Sequence, residues 1–353
     1  MNSLWVVKMA AASKIMSMQE AVSRFVQSGD TLSFSGFTTN RKPYAAVHEI
    51  LRQGQTDFTL WGGPAGGEQD LLIGEGRVRI FINCYTANSG FSNVLRRYRA
   101  AIEQGKILFE DYSMDVVMMM FHAAALGLAF LPIRLMQGSD LVNMWGVSRE
   151  VRANEPTLDN EKLVIVENPF SPGEQVVALP IPRIDCAILH VQQASPDGTC
   201  VIEGDEFGDV DMAVASRKTI VTCEEIVSNE YIRRDPTRPR IFGACVDAVV
   251  HAPYGAWPSQ CYGYYDDDVD ALREYDSASR YYDAEDAARV LQAEALKKGT
   301  VYDPEKQVET FVDYLEKYVY SVPDHAALLD KLGAARLIGL KNVPGLGYAA
   351  SVE

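Results

Sequence analysis

The sequence has no CxxC pair. Its six cysteines, Cys84, Cys186, Cys200, Cys223, Cys245 and Cys261, stand at least fourteen positions apart, and its five histidines are scattered. Neither spacing suits a zinc site, so no metal is expected. Thiols this sparse in a 353-residue chain read as reduced, which fits a cytoplasmic protein. Basic residues are also short: 33 Lys and Arg face 48 Asp and Glu, a net charge of −15. Nucleic acid needs a basic footprint and an anionic membrane attracts one, so both are excluded as partners. A small anion is not excluded, because a few local cations or backbone N–H groups suffice to hold it.

Long apolar runs are missing too. Lys8 interrupts Leu4–Ala12 before a signal-peptide core forms. Met9, Met16 and Met18 are alternative starts, so residues 1–14 read as a tail. Val116–Ile133 holds eighteen residues without Asp, Glu, Lys or Arg, the minimum for a membrane span. His122, Gly127 and Pro132 break it. It reads instead as a buried helix, Met114–Ala125, a turn at Gly127 and a short strand, Ala129–Pro132. There is no GxSxG elbow, no HExxH, no phosphate-binding GxxxxGK[ST] loop and no GxGxxG fingerprint.

What is present is an alternation of short apolar strands and amphipathic helices. Ser17 and Glu20 form a capping box ahead of a first helix. Strands are expected at Thr31–Ser35, Phe58–Trp61, Val78–Ile82, Ile107–Phe109, Leu163–Val166, Val176–Leu179, Cys186–Val191, Thr219–Thr222 and Val246–Val250. Helices are expected at Pro43–Arg52, near Ser92–Glu103, at Asp209–Arg217, at Cys223–Asn229, and near Lys306–Tyr318 and Pro323–Gly333. This order predicts an α/β fold: an open, mostly parallel sheet flanked by helices. Residues 15–353 form one domain. Acidic, tyrosine-rich Tyr262–Tyr282 reads as a solvated surface arm reaching to about residue 305, or as a contact between chains.

Ligands on such sheets bind beyond the carboxyl ends of strands. Four loops there carry candidate chemistry. Arg41 and Lys42 precede a helix start, where the macrodipole disfavours each cation by roughly 0.3–1 kcal/mol. Either an anion offsets this, or both side chains snorkel into solvent. Gly62–Gly67 is either a tight loop or a lining for an anion or CoA pocket. Asn83–Gly90 (NCYTANSG) offers neutral donors to a thioester or carboxylate oxygen, or simply caps the next helix. Gln137-Gly138-Ser139 either lets backbone approach a pantetheine arm or is an ordinary strand exit.

Taken together, nine ordered blocks resemble the α-type chains of the family I CoA-transferases, the glutaconate type in particular. They are GFTTNRKPYAA (36–46), GGPAGGEQDLLIGEGRV (62–78), INCYTANSG (82–90), EDYSMDV (110–116), LMQGSDL (135–141), QQASPDGT (192–199), IVTCEEIVSNEYIRRDPT (220–237), APYGAWPSQCYG (252–263) and VPGLGY (343–348). The resemblance implies an open α/β fold, an active site shared with a B (beta) subunit in a hetero-oligomer, and transfer of CoA between an acyl-CoA and a free, dicarboxylic-type acid. No permanently bound cofactor is implied; the CoA thioester is substrate. Ser35, Gly36, Phe37, Arg41, Lys42, Thr86, Asn88, Ser89, Gln137, Gly138 and Ser139 are the implied substrate- and CoA-binding positions. The nucleophilic glutamate of the family lies in an ENG setting on the B subunit. Here the only Glu-Asn, Glu167-Asn168, is followed by Pro169, so no catalytic residue is assigned to this chain. Two departures stand out: Ser35-Gly36 replaces a glycine pair before Phe37, and Ser279–Val308 is long. The competing readings are another acid:CoA transferase, a hydrolase of cyclic β-keto acyl-CoA on the same fold, and a catalytically silent scaffold.

Overall fold

The structure is a computed structural model and describes residues 13–88, 90–305 and 307–341. Residues 1–12 of the expected tail, Ser89 and the block Val343–Tyr348 lie outside the described residues. The main sheet has nine strands: β1 Thr31–Phe34, β2 Phe58–Trp61, β3 Val78–Asn83, β4 Leu108–Asp111, β5 Ile184–Ala194, β6 Cys200–Val201, β7 Ser216–Ile226, β8 Pro239–Ile241 and β9 Ala248–His251. Seven run parallel in the spatial order β9-β7-β5-β1-β2-β3-β4, and β6 and β8 add an antiparallel extension at the end of β5. Strand order reverses between β1 and β5, the switch point where open α/β sheets open a crevice.

Parallel strands are covered on both faces, so their sequences are continuously apolar. β1 and β2 are buried along their whole length. One face packs on α1 (Met18–Phe25), α2 (Tyr44–Gln53), α3 (Gly67–Gly74), α4 (Arg96–Glu103) and the late helices, through Leu32, Phe34, Leu60 and Phe81. The other packs on α5 (Met114–Ala125) through Trp61, Ile80 and Ile82. α5 has the bounds expected of the uncharged run. No helix among the described residues is long and apolar enough to cross a membrane.

Several expectations are corrected. Lys14 is not in a tail: its N–H donates to Pro196 O at 2.8 Å and its Nζ to Gly243 O and Val246 O at 2.6 and 2.7 Å. Cys223–Ile226 continues β7 rather than starting a helix, and helix α7 begins at Asn229 and ends at Arg233. Helix α6 is Asp209–Ala215, stopping short of Arg217. The acidic stretch Tyr262–Tyr282 is not a solvated arm. Tyr265, Asp266, Asp267 and Asp268 are buried, and Asp268 caps helix α8 (Val269–Ala278) while pairing with Arg336. Only the following helix, α9 (Ala284–Lys298), lies open, with Ala287 its one buried residue.

Candidate active site

β5 pairs with β1 only as far as Phe34–Ile188 and then runs on to Ala194. Its overhang places His190 beyond the end of β1, facing the loop that carries residues 35–43. Ser35 bridges the two: its hydroxyl accepts from His190 N–H at 2.9 Å and donates to Arg41 O at 3.0 Å. Gly36 has φ +93°, and a Cβ there would come within 2.3 Å of Asn40 O. Only glycine fits that position. The retained glycine is thus the one the loop needs, and the serine in place of its neighbour supplies a bracket.

Arg41 and Lys42 do not behave as either sequence reading expects. They neither snorkel nor wait for an outside anion, because internal acceptors surround them. Arg41 is fully buried; its guanidinium donates to Asp209 Oδ2 at 2.6 Å, to His190 O at 3.2 Å and to Asp205 O. Asp209 opens α6, and its other oxygen accepts from Gly36 N–H at 3.0 Å. Lys42 Nζ donates to Gly36 O at 3.1 Å and to Pro64 O, with Glu68 Oε1 3.6 Å away. These two cations tie the loop after β1 to the loops after β2 and before α6.

The glycine run and the NCYTANSG loop are zipped together. Pro64–Ala65 pairs in parallel with Tyr85–Thr86, and Ala87 N–H donates to Ala65 O at 3.1 Å. Asn88 Oδ1 accepts from Gly67 N–H at 2.9 Å, satisfying an orphan donor at the start of α3. Thr86 accepts from the Asn83 amide. Glu68, sealed from solvent, accepts from Gly66 N–H at 3.2 Å, and its second oxygen has no hydrogen-bond partner among the described residues. Burial pushes the Cys84 thiol up to about 12, with the Lys42 charge drawing it partly back.

Behind His190 lies a network that sequence reasoning missed. His190 Nε2 stands 2.8 Å from Glu224 Oε1 and Nδ1 stands 2.8 Å from Thr222 Oγ1. Glu224 also accepts from Tyr265 OH and Tyr254 N–H, both at 2.8 Å. His190, Glu224 and Cys261 bring ligand-type atoms within 4.8 Å of one another. Burial drives the Cys261 thiol well up, and both imidazole nitrogens take part in hydrogen bonds.

The last third of the chain closes over the same loop. Arg41 N–H donates to Gln260 O at 2.9 Å and Gln260 N–H to Thr39 O at 3.0 Å. Thr39 Oγ1 donates to Asp267 at 2.9 Å. Burial pushes Asp267 up to about 7, against the pull of the Thr39 and Gln260 donors. Gln137, Gly138 and Ser139 make their bonds elsewhere: Gln137 donates to Gln175 O at 2.5 Å and Ser139 to Met136 O at 2.6 Å.

Among the described residues, four of the six non-glycine positions with positive φ, Thr38, Arg41, Phe207 and Tyr254, belong to these loops. Each such conformation costs about 1–3 kcal/mol and persists only where surroundings enforce it. Loops at the switch point, braced by buried ion pairs and strained backbone, form a rigid rim suited to holding a substrate.

The chain is similar in sequence and fold to known proteins. Residues 15–252 match the sequence model of the family described as Coenzyme A transferase. The A-type chain of the glutaconate CoA-transferase of Acidaminococcus fermentans is 54% identical over 336 residues, 95% of this chain and 97% of that one. The crystal structure of that glutaconate coenzyme A-transferase superposes with a TM-score of 0.86, covering 95% of this chain and 98% of that one. The A-type chain of the 3-oxoadipate CoA-transferase of Pseudomonas knackmussii is 30% identical, covering 92% and 99%. The IpdA chain of the cholesterol ring-cleaving hydrolase of Rhodococcus jostii is also 30% identical but covers only 69% and 79%. The chain belongs to the coenzyme A transferase family.

Proposed function

We propose that this chain is the α-type component of a glutaconate CoA-transferase, working in the cytoplasm with a separate B subunit. The observation that carries this reading is its likeness to the Acidaminococcus chain along nearly the full length of both. The hydrolase relative matches over a shorter stretch, and the hydrolytic reading is not adopted.

In this reading the partner's glutamate carboxylate attacks the thioester carbonyl and expels CoA as its thiolate, leaving a mixed anhydride. The thiolate then attacks the glutamyl carbonyl of that anhydride and releases the first acid. A glutamyl-CoA thioester remains. The second acid enters by the reverse steps, so the thioester bond is never surrendered to water. This chain supplies the other wall. The loop of Ser35, Gly36 and Phe37 and the loop of Thr86 and Asn88 face the reacting group, and Gln137, Gly138 and Ser139 approach the CoA arm; Ser89 is assigned with them from the sequence resemblance. Arg41 and Lys42 act from behind, holding the loops in place. CoA enters as substrate and no resident cofactor is required.

The test is to purify the chain alone and with a co-expressed B-type partner, then assay CoA transfer from glutaryl-CoA to acetate. The complex is expected to turn over with ping-pong kinetics and the chain alone not at all. Robust turnover by the isolated chain, or release of free CoA without an acceptor acid, overturns the reading.

A further inference from the structure

Phe37 and Phe207 stack with ring centroids 4.7 Å apart and planes 25° from parallel. Both residues are half-buried. Phe37 follows β1 at the switch point; Phe207 stands two residues before α6. They come from loops far apart in the chain, yet both are tied to one ion pair. Gly36, beside Phe37, donates to Asp209 Oδ1. Arg41 holds Asp209 Oδ2 and Asp205 O. Phe207 N–H in turn donates to Asp205 Oδ1 at 3.1 Å. The stack also sits among strained residues, with φ +53° at Thr38 and +40° at Phe207.

Next to Phe207 the backbone is packed against methionines. A Cβ on Gly208 would lie 2.9 Å from Met118 Sδ, and one on Gly63 would lie 3.1 Å from Met212 Cε and 3.8 Å from Met118 Cε. Two glycines therefore make room for two methionines between the loop before α6 and the loop after β2. Aromatic rings give a rigid apolar surface and methionines an adaptable one.

We propose that Phe37 and Phe207 form the platform on which the methylenes of the acyl chain rest, and that Asp209 positions this platform through Gly36 and Arg41. The stack is then a chain-length selector: a five-carbon dicarboxylyl group covers it and an acetyl group does not. The inference rests on the acyl-CoA reading above. Nothing in the sequence marks Phe207, because its partner is remote and its role depends on the buried pair behind it.

The experiment uses the assembled complex with Phe207→Ala and Phe207→Leu. Binding of two non-transferable thioether analogues of CoA, one carrying a two-carbon chain and one a five-carbon dicarboxylate, is measured by titration. Transfer to acetate and to glutarate is measured in parallel. Burying a large apolar side chain shifts binding by about ten-fold or more, so Phe207→Ala should weaken the five-carbon analogue by about that factor relative to the two-carbon one. Phe207→Leu, which keeps apolar surface without the stack, should fall between. An equal loss for both analogues, or no loss for either, overturns the platform. A wild-type complex that binds the analogues but transfers nothing overturns the transferase reading instead, and the binding ratio still decides the platform.

Discussion

Arg41 and Asp209 meet 2.6 Å apart with side chains 0% and 1% exposed. A pair sealed this well has given up the hydration of both charges, so its value lies in the neighbours it orders: Gly36 N–H, His190 O and Asp205 O. Breaking it strands a charge. Arg41→Ala or Asp209→Ala alone should destabilise the chain by about 3–5 kcal/mol in urea unfolding. Replacing both at once, as Arg41→Met with Asp209→Leu, should restore much of that stability. It should not restore transfer by the complex, because Gly36 N–H loses its acceptor. Full recovery of activity in the double variant would show that the pair orders nothing.

Ser35 tests the lost glycine. Its hydroxyl serves His190 N–H and Arg41 O at once. Ser35→Gly, which restores the glycine pair, should cost about 1–3 kcal/mol by leaving a buried N–H unpaired. Gly36→Ala should cost more and collapse transfer, given the 2.3 Å approach to Asn40 O. Thermal unfolding of both variants checks the order.

Glu68 lies beside the glycine loop and is 0% exposed. It should not be the nucleophile. Borohydride reduction of acyl-CoA-treated complex, followed by mass spectrometry, should find the modified glutamate on the partner and leave Glu68 intact. Glu68→Gln should retain turnover within about ten-fold, since the amide oxygen can still accept from Gly66 N–H, but should lower stability because buried Lys42, 3.6 Å away, loses its counter-charge.

The Asp267 carboxyl is held up to about 7 by burial, above its ordinary value of 3.8. A raised acid binds its proton more tightly when folded. Its contribution to stability is therefore greatest below pH 4 and is lost as pH rises toward 7. Asp267→Asn keeps the shape and removes the charge. It should raise the melting temperature at pH 8 by about 2 °C or more and change little at about pH 4–5. A variant less stable at pH 8 than the parent would reverse the sign.

How far the residues themselves reveal this site varies. Phe58–Trp61 and Met114–Ala125 are legible to the residue, because local apolar pattern alone determines them. α3 is not, since Gly66-Gly67 carries no helical signal; its start is secured by Asn88, twenty-one positions on from Gly67. Glu224-Glu225 suggests a helix because polar residues rarely fill a central strand, yet Glu224 is spent on His190, Tyr265 and Tyr254. Asp266-Asp267-Asp268 suggests solvent for the same reason. That the candidate loops stand at strand ends follows from the alternation of elements. What faces each cation does not, because Asp209 stands 168 positions from Arg41.

The clamp of Gln260 and Asp267 on the loop after β1 has a temporal consequence. Thr39 must wait for a partner 228 positions later in the chain, beyond residue 252 where the family match ends. As the polypeptide leaves the ribosome, β1 and β2 can pair early, while the rim of the site stays unfinished until roughly the final hundred residues arrive. A ribosome stalled just past residue 252 would display a sheet with no working edge, and a nascent chain at that stage would have nothing shaped to offer a substrate.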